Sequence, residues 1–167
     1  KTHNIAPRDV KQINIRASEW CVEHNGDVAK RFPTNKETAD HSAPYLTAIA
    51  IMERQVGLDQ YSDNRYADPR VHELIRKVTM TPDPELDNLA AVVEIQTKQG
   101  EKYSVRADPP KGDYRNRMTN EEVEAKFRSM ASKLIPEKQM AKVIGSINEL
   151  EKLKDAAELM ESLSKRD

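Results

Sequence analysis

Cysteine is nearly absent from this sequence. Cys21 is the only one among 167 residues, so the chain cannot close an internal disulfide. It also cannot supply the three or four thiolates that an iron–sulfur cluster or a Cys-type zinc site requires. We therefore expect chemistry that uses no metal and no cofactor, and a reducing, cytoplasmic location.

Long apolar runs and an excess of one charge are also missing. The apolar stretches are short and interrupted, which predicts no membrane span and no secretory signal. Basic residues number 27 and acidic residues 28, for a net charge of −1, and this balance argues against nucleic acid as a partner. The length suits one ordinary domain or two small pieces of a larger one. The first residue is Lys1, which indicates a fragment, a processed chain or trimmed numbering.

Reactive side chains are concentrated in one run, Lys36-Glu37-Thr38-Ala39-Asp40-His41-Ser42, directly before an apolar helical segment. The free N–H groups at a helix start favour anions such as carboxylates. His41 titrates near neutral pH, so it can act as a general acid or base. The spacing alone favours a plainer interpretation, in which Thr38 or Asp40 caps the helix. In that interpretation Lys36 is solvated and His41 is a surface or core histidine.

The first 110 residues carry mixed signals of helix and strand. Apolar Ile13 and Ile15 alternate with polar neighbours, as in a half-buried strand, and Asp68-Pro69 is a typical helix start. The predicted elements are a strand at 10–17, an irregular stretch around His24, Asn25 and Gly26, helices at 38–55 and 69–76, a strand at 78–81, and a hairpin of strands 91–97 and 102–107. This order predicts an α+β fold, with helices on one face of a small, mixed, largely antiparallel sheet.

The last third of the chain reads as helical throughout. Thr119 and Glu122 have the spacing of a capping box, Pro136 opens a second helix, and Asp155 with Glu158 predicts a second box. The helices carry stripes of apolar residues at three-four spacing, which are packing surfaces. Three such stripes need a partner surface, so we expect them to dock on helices outside this chain or on a second subunit.

These residues also carry a resemblance to a known family. The run Thr38-Ala39-Asp40-His41-Ser42, followed by Pro44-Tyr45 and an alanine-rich helix, resembles the signature of the MmgE/PrpD family. That family includes 2-methylcitrate dehydratase, cis-aconitate decarboxylase and iminodisuccinate epimerase. Further positions agree in order and spacing: Asp68-Pro69, Val71, Leu74, Lys77-Val78, Gly112, Asn116, Met118, Thr119, Glu122, Lys126 and Phe127. The likeness runs from about Pro7 to Leu163 and covers only the carboxyl-terminal part of a family member.

The resemblance implies a domain organisation. Residues 1–113 would form a small α+β lid-like domain, and residues 114–167 a helical segment that packs on an amino-terminal helical domain absent from this chain. The resemblance also implies that the complete protein assembles as a homodimer. The substrates of family members are small di- or tricarboxylates, and the fragment alone is expected to be inactive.

The resemblance also implies a site. Lys36 and His41 fall where the family places active-site residues, Lys36 as the cation that stabilises carboxylate charge and His41 as the group that moves a proton. Thr38 and Ser42 are candidates to bind a substrate carboxylate, although capping is favoured for Thr38. Asp40 orients the histidine or caps the helix, with the cap preferred.

Two further basic residues remain open. Lys30 and Arg31 either help to hold carboxylates or belong to a solvated loop, and the loop is the preferred interpretation.

The expected activity is that of a metal-independent lyase that dehydrates a tricarboxylate such as 2-methylcitrate, as in propionate catabolism. The alternatives are decarboxylation or epimerisation, or a non-catalytic binding or regulatory domain. Gly112-Asp113-Tyr114 and Arg117 depart from the family's usual turn, which leaves the particular substrate open.

Overall fold

The computed structural model describes residues 3–107 and 109–164. The chain divides into two compact units, Lys1–Pro110 and Lys111–Asp167. The first unit contains a four-stranded sheet with helices, and the second is helical. The predicted α+β class is therefore confirmed. In the part of the chain that the structure describes, no helix has the length and apolarity needed to cross a membrane.

The first unit contains short helices around a sheet. Its helices are α1 Glu19–Asn25, α2 Val28–Arg31, α3 Lys36–Asp40, α4 Ala43–Glu53, α5 Asp63–Tyr66 and α6 Pro69–Ile75, with 3-10 turns at Pro7–Asp9 and Leu58–Tyr61. Its strands are β1 Val10–Ala17, β2 Val78–Pro82, β3 Ala91–Thr97 and β4 Lys102–Ala107. The predicted bounds of β1 and of the β3–β4 hairpin agree with the structure, because alternation and turn residues are local signals.

The sheet has the strand order β2-β1-β3-β4. β1 pairs with β2 in parallel and with β3 antiparallel, and β4 completes an antiparallel hairpin with β3. In this register Ile13 lies opposite both Val78 and Ile95, so one face of three strands is apolar. The prediction of a mixed, largely antiparallel sheet is confirmed.

The opposite face of the sheet is polar and is linked by side-chain hydrogen bonds. The Asn14 amide donates to Glu94 on β3 at 3.2 Å, and its Oδ1 accepts from Thr79 and Thr81 on β2 at 3.1 and 3.3 Å. Arg16 on β1 pairs with Asp83 at 2.5 Å, just beyond β2. These contacts cross three strands and support their register.

The core lies between the apolar face of the sheet and helices α4 and α6. Tyr45 and Ile49 of α4 and Ile75 of α6 are fully buried. Leu74 of α6 is nearly so. They join one cluster with Val10, Ile13, Ile15, Ala39, Ala48, Ile51, Tyr66, Val71 and Val78. This cluster anchors the short helix α3 through Ala39, and it thereby positions the residues that follow.

The predicted single helix over 38–55 is wrong in detail. The structure has two helices there, α3 and α4, with a break at His41 and Ser42. Pro44 has no N–H to donate and its ring excludes a continuous helix, so the chain must restart, and the Ser42 hydroxyl caps the new start. The second helix ends at Glu53 because Arg54 adopts a left-handed backbone with φ of 61°.

The predicted irregular stretch around His24, Asn25 and Gly26 is also corrected. His24 and Asn25 form the last turn of α1, and Gly26 is its C-cap. The helix begins after Ser18, whose hydroxyl accepts from the N–H of Cys21 at 3.2 Å. A seven-residue helix carries too little apolar periodicity to be recognised from spacing.

The described residues of the second unit form three helices, α7 Asn120–Ala131, α8 Glu137–Asn148 and α9 Ala157–Leu163, and a 3-10 turn at Leu150–Lys152. The capping box is confirmed: the Thr119 hydroxyl accepts from the Glu122 N–H at 3.2 Å, and the Glu122 carboxylate accepts from the Thr119 N–H at 2.8 Å. The predicted second box is wrong. Asp155 instead accepts from the N–H of Ala157 at 2.8 Å, and α9 starts later than expected.

Candidate functional site

The candidate site is built on α3 and on the break that follows it. Asn35 caps this helix, because its Oδ1 accepts from the N–H of Thr38 at 2.9 Å. The Thr38 hydroxyl returns the contact by accepting from the N–H of Asn35 at 3.4 Å. This reciprocal capping holds a five-residue helix in place. It carries Lys36 and Glu37 in its first turn and ends beside His41.

His41 is held by two acceptors. Its Nδ1 lies 2.7 Å from Oδ1 of Asp40 and 3.0 Å from the backbone carbonyl of Glu37. Both partners only accept hydrogen bonds, so Nδ1 carries the proton and donates it. Nε2 is then the nitrogen that can exchange a proton with a ligand. The side chain is 55% exposed, so a ligand in solvent can reach it.

The surroundings of His41 favour its charged form. The pKa of the imidazole is raised above 6.5, first by the hydrogen bond to the Glu37 carbonyl and then by the hydrogen bond and charge of Asp40. The Glu37 carboxylate, at 3.8 Å from Nδ1, adds a smaller contribution of the same sign. The residue is thus suited to donate a proton or to attract a carboxylate.

Asp40 orients the histidine and does not cap a helix. The caps of α3 and α4 are Asn35 and Ser42. The preferred interpretation of Asp40 as a cap is therefore wrong, and the alternative role beside His41 is the one that the structure has. A carboxylate in that place fixes the tautomer of the ring.

Lys36 is the first residue of α3, and it is exposed. Within the described part of the chain its ammonium makes no hydrogen bond or ion pair. The structure therefore places Lys36 and His41 at opposite ends of the same short helix without joining them directly. Its predicted role as a carboxylate-stabilising cation stays a prediction.

The hydroxyls of Thr38 and Ser42, both predicted to bind a substrate carboxylate, form hydrogen bonds with backbone groups. Thr38 belongs to the capping box of α3, as preferred from the sequence. Ser42 is fully buried, and its hydroxyl accepts from the N–H of Tyr45 at 3.3 Å. In this conformation the Ser42 hydroxyl is closed to a ligand, because the start of α4 occupies it.

The basic pair after α1 has two different environments. Lys30 donates from its ammonium to the carbonyl of His24 at 2.9 Å. Arg31 is half-buried and donates to the carbonyl of Ile75 at 3.0 Å and to the carbonyl of Val78. Arg31 therefore ties α2 to the junction between α6 and β2. In the described part of the chain, these hydrogen bonds of Lys30 and Arg31 lead to α1, α6 and β2 and not to His41.

Two residues of this region were given no role from the sequence, although Glu37 lies in the run 36–42. Glu37 supplies both the carbonyl and a carboxylate beside the imidazole. Tyr61 ends a 3-10 turn that contacts α3. Its pKa is raised by burial and then by the charge of Asp40. The turn is anchored because the buried Tyr45 hydroxyl donates to the carbonyl of Gln60.

Among the described residues, Glu37, Asp40 and His41 also have the types of donor atom that a metal ion could bind. Single ligand atoms of Glu37, Asp40 and His41 lie within 4.8 Å of one another. Exposed acidic groups commonly adopt such an arrangement without binding a metal, and the two contacts to Nδ1 already account for it.

Comparisons with known proteins show which family the chain around this site resembles. A family model for the MmgE/PrpD C-terminal domain matches residues 1–150. Cis-aconitate decarboxylase of Mus musculus is 28% identical over 136 residues, which cover 79% of this chain and 28% of that protein. Cis-aconitate decarboxylase of Homo sapiens is 27% identical over 160 residues, or 93% of this chain and 32% of that protein.

A fungal relative agrees with these two. Cis-aconitate decarboxylase of Aspergillus terreus is 24% identical over 163 residues, or 93% of this chain and 33% of that protein. The chain therefore spans about a third of the length of the curated relatives that it matches. The resemblance first seen in the run 36–42 is confirmed at the level of the family.

Proposed function

Since this chain belongs to the MmgE/PrpD family and carries its C-terminal domain, we propose that it is the carboxyl-terminal part of a metal-independent lyase. The substrate would be a small di- or tricarboxylate. The observation that carries the proposal is the contact of 2.7 Å between Asp40 and His41, at the exposed end of α3. A charged imidazole in that place can bind a carboxylate and deliver a proton.

The preferred reaction is dehydration of a tricarboxylate such as 2-methylcitrate. In this reaction the C–H bond next to a carboxylate breaks, a carbon–carbon double bond forms, and the hydroxyl on the neighbouring carbon departs. His41 would give its Nε2 proton to that hydroxyl, which leaves as water. The raised pKa of His41 supports this role, because it increases the protonated fraction of the imidazole over that of an ordinary histidine at the same pH.

Lys36 would act on the other end of the substrate. Loss of the proton builds negative charge on the adjacent carboxylate, and a nearby ammonium stabilises that state more than the starting one. Lys36 is exposed and is not engaged within the described part of the chain. Such a cation is available to a ligand without breaking an existing ion pair. In this proposal the base that takes the C–H proton belongs to another part of the complete protein.

Decarboxylation is the second candidate, because three relatives from mouse, human and a fungus are named cis-aconitate decarboxylases. In that reaction carbon dioxide leaves, and the remaining carbanion takes up a proton. His41 can supply this proton by the same atom. The two candidates therefore share a proton donor and differ in the bond that breaks.

The proposal includes partners. We propose that α7 to α9 pack on an amino-terminal helical domain and that the complete protein is a homodimer. The support is that Val123, Met130, Leu134 and Ile147 are apolar yet about half exposed or more in the chain as it stands. It follows that the 167 residues alone should have no measurable turnover.

The experiment uses the complete product of the gene and three variants. We expect His41→Ala to lower kcat by about 10²-fold or more, the usual contribution of a positioned general acid, and Lys36→Ala to lower kcat/KM. Lys98→Ala, an exposed lysine in the β3–β4 turn, is the matched control and should leave both constants unchanged. Wild-type rates for His41→Ala and Lys36→Ala, with folding intact by circular dichroism, would remove both residues from the mechanism.

Product analysis separates the two reactions. 2-Methylcitrate and cis-aconitate are supplied separately, and carbon dioxide release is measured beside the formation of the dehydrated product. Loss of water without carbon dioxide supports dehydration, and release of carbon dioxide from cis-aconitate supports the second candidate. Turnover of neither compound, nor of a related tricarboxylate, would contradict the lyase proposal.

A further inference from the structure

A groove of about 540 Å³ lies in the first unit, on the helical side of the sheet. Its floor and walls come from α4 and from strands β3 and β4, and we name it the α4–β4 groove. The apolar residues that line it include Leu46, Ala50, Val93, Ile95, Tyr103 and Val105. The register places Val105 opposite Val93, which lies opposite the buried Ile15, so Val105 belongs to the core face of the sheet. It is nevertheless 57% exposed.

The width of the sheet explains why this part of its core face is bare. Neighbouring strands lie about 4.8 Å apart and a helix with its side chains is about 10 Å across, so one helix covers about two strands. α4 packs with α6 and β2, toward one edge of the sheet. The face of β4, at the other edge, is left without a helix of the first unit's described residues above it. A four-stranded sheet of this kind, with α4 and α6 toward its β2 edge, has room for a further helix over β3 and β4.

The composition of α4 gives an independent reason to expect one. Over Ala43–Glu53 the only polar residues are Thr47, which also lines the groove, and Glu53, so the helix carries no polar stripe. A helix that faces solvent carries a polar stripe, whereas one that is apolar all round is buried on all sides. The side of α4 that turns toward the groove carries Leu46 and Ala50, which are only partly buried. The small side chain of Ala50 permits close approach of another helix.

The charges at the rim of the groove restrict what can fill it. No carboxylate is among the described residues that line it, while Arg54 and His3 are. Arg54 follows the end of α4 and donates to the backbone carbonyl of Ile5. A guanidinium at the edge of an apolar groove is complemented by an acidic side chain of the occupant.

We propose that the α4–β4 groove seats an amphipathic α-helix from the remainder of a longer polypeptide. The helix places a face of aliphatic and small residues on Leu46, Ala50 and Val105, and an acidic residue beside Arg54. The curated relatives are about three times as long as the segment that this chain matches, which leaves ample chain to supply it. This inference does not depend on the proposed lyase activity, since it concerns packing in the first unit alone.

The test compares the reactivity of single cysteines. In a Cys21→Ser background, Val105→Cys reports on the groove, and Leu89→Cys is the control, since Leu89 is 51% exposed and lies outside the groove. The rate of reaction with 5,5′-dithiobis-(2-nitrobenzoate) is measured in the 167-residue chain and in the complete product of the gene. Both substitutions are small and surface-exposed, and circular dichroism checks the fold of each protein.

We expect the two cysteines to react at similar rates in the 167-residue chain. In the complete product, the rate at position 105 should fall at least tenfold, whereas the rate at position 89 should stay the same. An unchanged rate at position 105 in the complete product would overturn the proposal. So would protection already present in the 167-residue chain, or protection that disappears on dilution, because the occupant would then lie within this chain or in a second copy.

Discussion

The carboxylate of Asp40 holds the ring of His41, with Oδ1 at 2.7 Å from Nδ1. The two residues are adjacent in sequence, and in a continuous helix the carbonyl of Glu37 would accept from the backbone N–H of His41. The break before Ser42 gives His41 a non-helical backbone, and the ring then reaches both Asp40 and the Glu37 carbonyl. The helix break thus creates the electrostatic setting of the histidine.

The first prediction concerns the titration of His41. We expect its pKa, measured by NMR, to lie above 6.5 in the folded chain and to fall toward 6.5 in Asp40→Asn, because the variant removes the negative charge. Glu37→Gln, which removes only the weaker carboxylate effect, should lower the pKa less. Since folding raises this pKa, the stabilisation is complete below pH 6.5 and is lost as the pH rises through the folded-state value. Equal pKa values in the wild type and in Asp40→Asn would contradict the assignment of Asp40.

The second prediction concerns the cap of α4. Ser42→Ala should lower the free energy of unfolding by about 1 kcal/mol, because the N–H of Tyr45 loses its acceptor at a buried helix start. Urea denaturation followed by circular dichroism measures the change. Ser104→Ala on the exposed face of β4 is the control, and its stability should stay close to that of the wild type. If Ser42→Ala were as stable as the control, the hydroxyl would be free for another role, such as ligand binding.

The third prediction separates the two basic residues after α1. Arg31→Met should lower the free energy of unfolding by about 2 kcal/mol, because two backbone carbonyls lose a charged donor. Lys30→Met removes a single contact near the surface and should change stability by less than about 0.5 kcal/mol. Urea midpoints of the two variants are compared under identical conditions. Equal stability of the two variants would show that Arg31 is not a structural tie, and would favour the alternative in which it binds carboxylates.

The fourth prediction concerns Tyr45, whose hydroxyl anchors the turn that carries Tyr61. Burial raises the pKa of Tyr45 to about 12. The folded state therefore favours the protonated hydroxyl over the ionised one. Its stabilisation is complete below the ordinary value of 10.0 and is lost as the pH rises toward 12. Tyr45→Phe should lower the free energy of unfolding by about 1 to 2 kcal/mol at neutral pH, since the carbonyl of Gln60 loses its donor.

Two measurements check this prediction. Urea denaturation of Tyr45→Phe is compared with that of Tyr114→Phe, an exposed tyrosine of the second unit, which should behave like the wild type. In an alkaline titration followed by absorbance, the signal of one tyrosine that ionises at high pH should be missing from Tyr45→Phe and present in Tyr114→Phe. A titration of Tyr45→Phe identical to the wild-type curve would mean that Tyr45 ionises with the exposed tyrosines.

Much of the fold followed from local patterns. The alternation around Ile13 predicted β1, the turn residues predicted the β3–β4 hairpin, and the spacing of Thr119 and Glu122 predicted the start of α7. Each of these signals depends on residues that are close in sequence. Their conformational preferences act locally and need no contact with distant parts of the chain. The short helices α1 and α2 were missed because four to seven residues hold too little periodicity.

The candidate site was predicted less completely. The run 36–42 drew attention to the right segment, and the family resemblance is confirmed over residues 1–150. The roles of Lys36 and His41 remain predictions. For Asp40 the sequence favoured a helix cap, whereas the structure places its carboxylate on the ring of His41. The capping preference of a residue is a local average, and it does not show which of several candidate caps a particular backbone uses.

By itself the sequence determined the class of fold, the strands, the antiparallel hairpin and the membership of a family, because these depend on residue types at short spacing. Only the tertiary structure decided that Ser42 is buried as a cap, that Arg31 reaches the carbonyls of Ile75 and Val78, and that one side of α4 is only partly buried. Such contacts join residues that are far apart in the chain. They arise when the sheet and its helices pack together, and the energy that selects them comes from that packing.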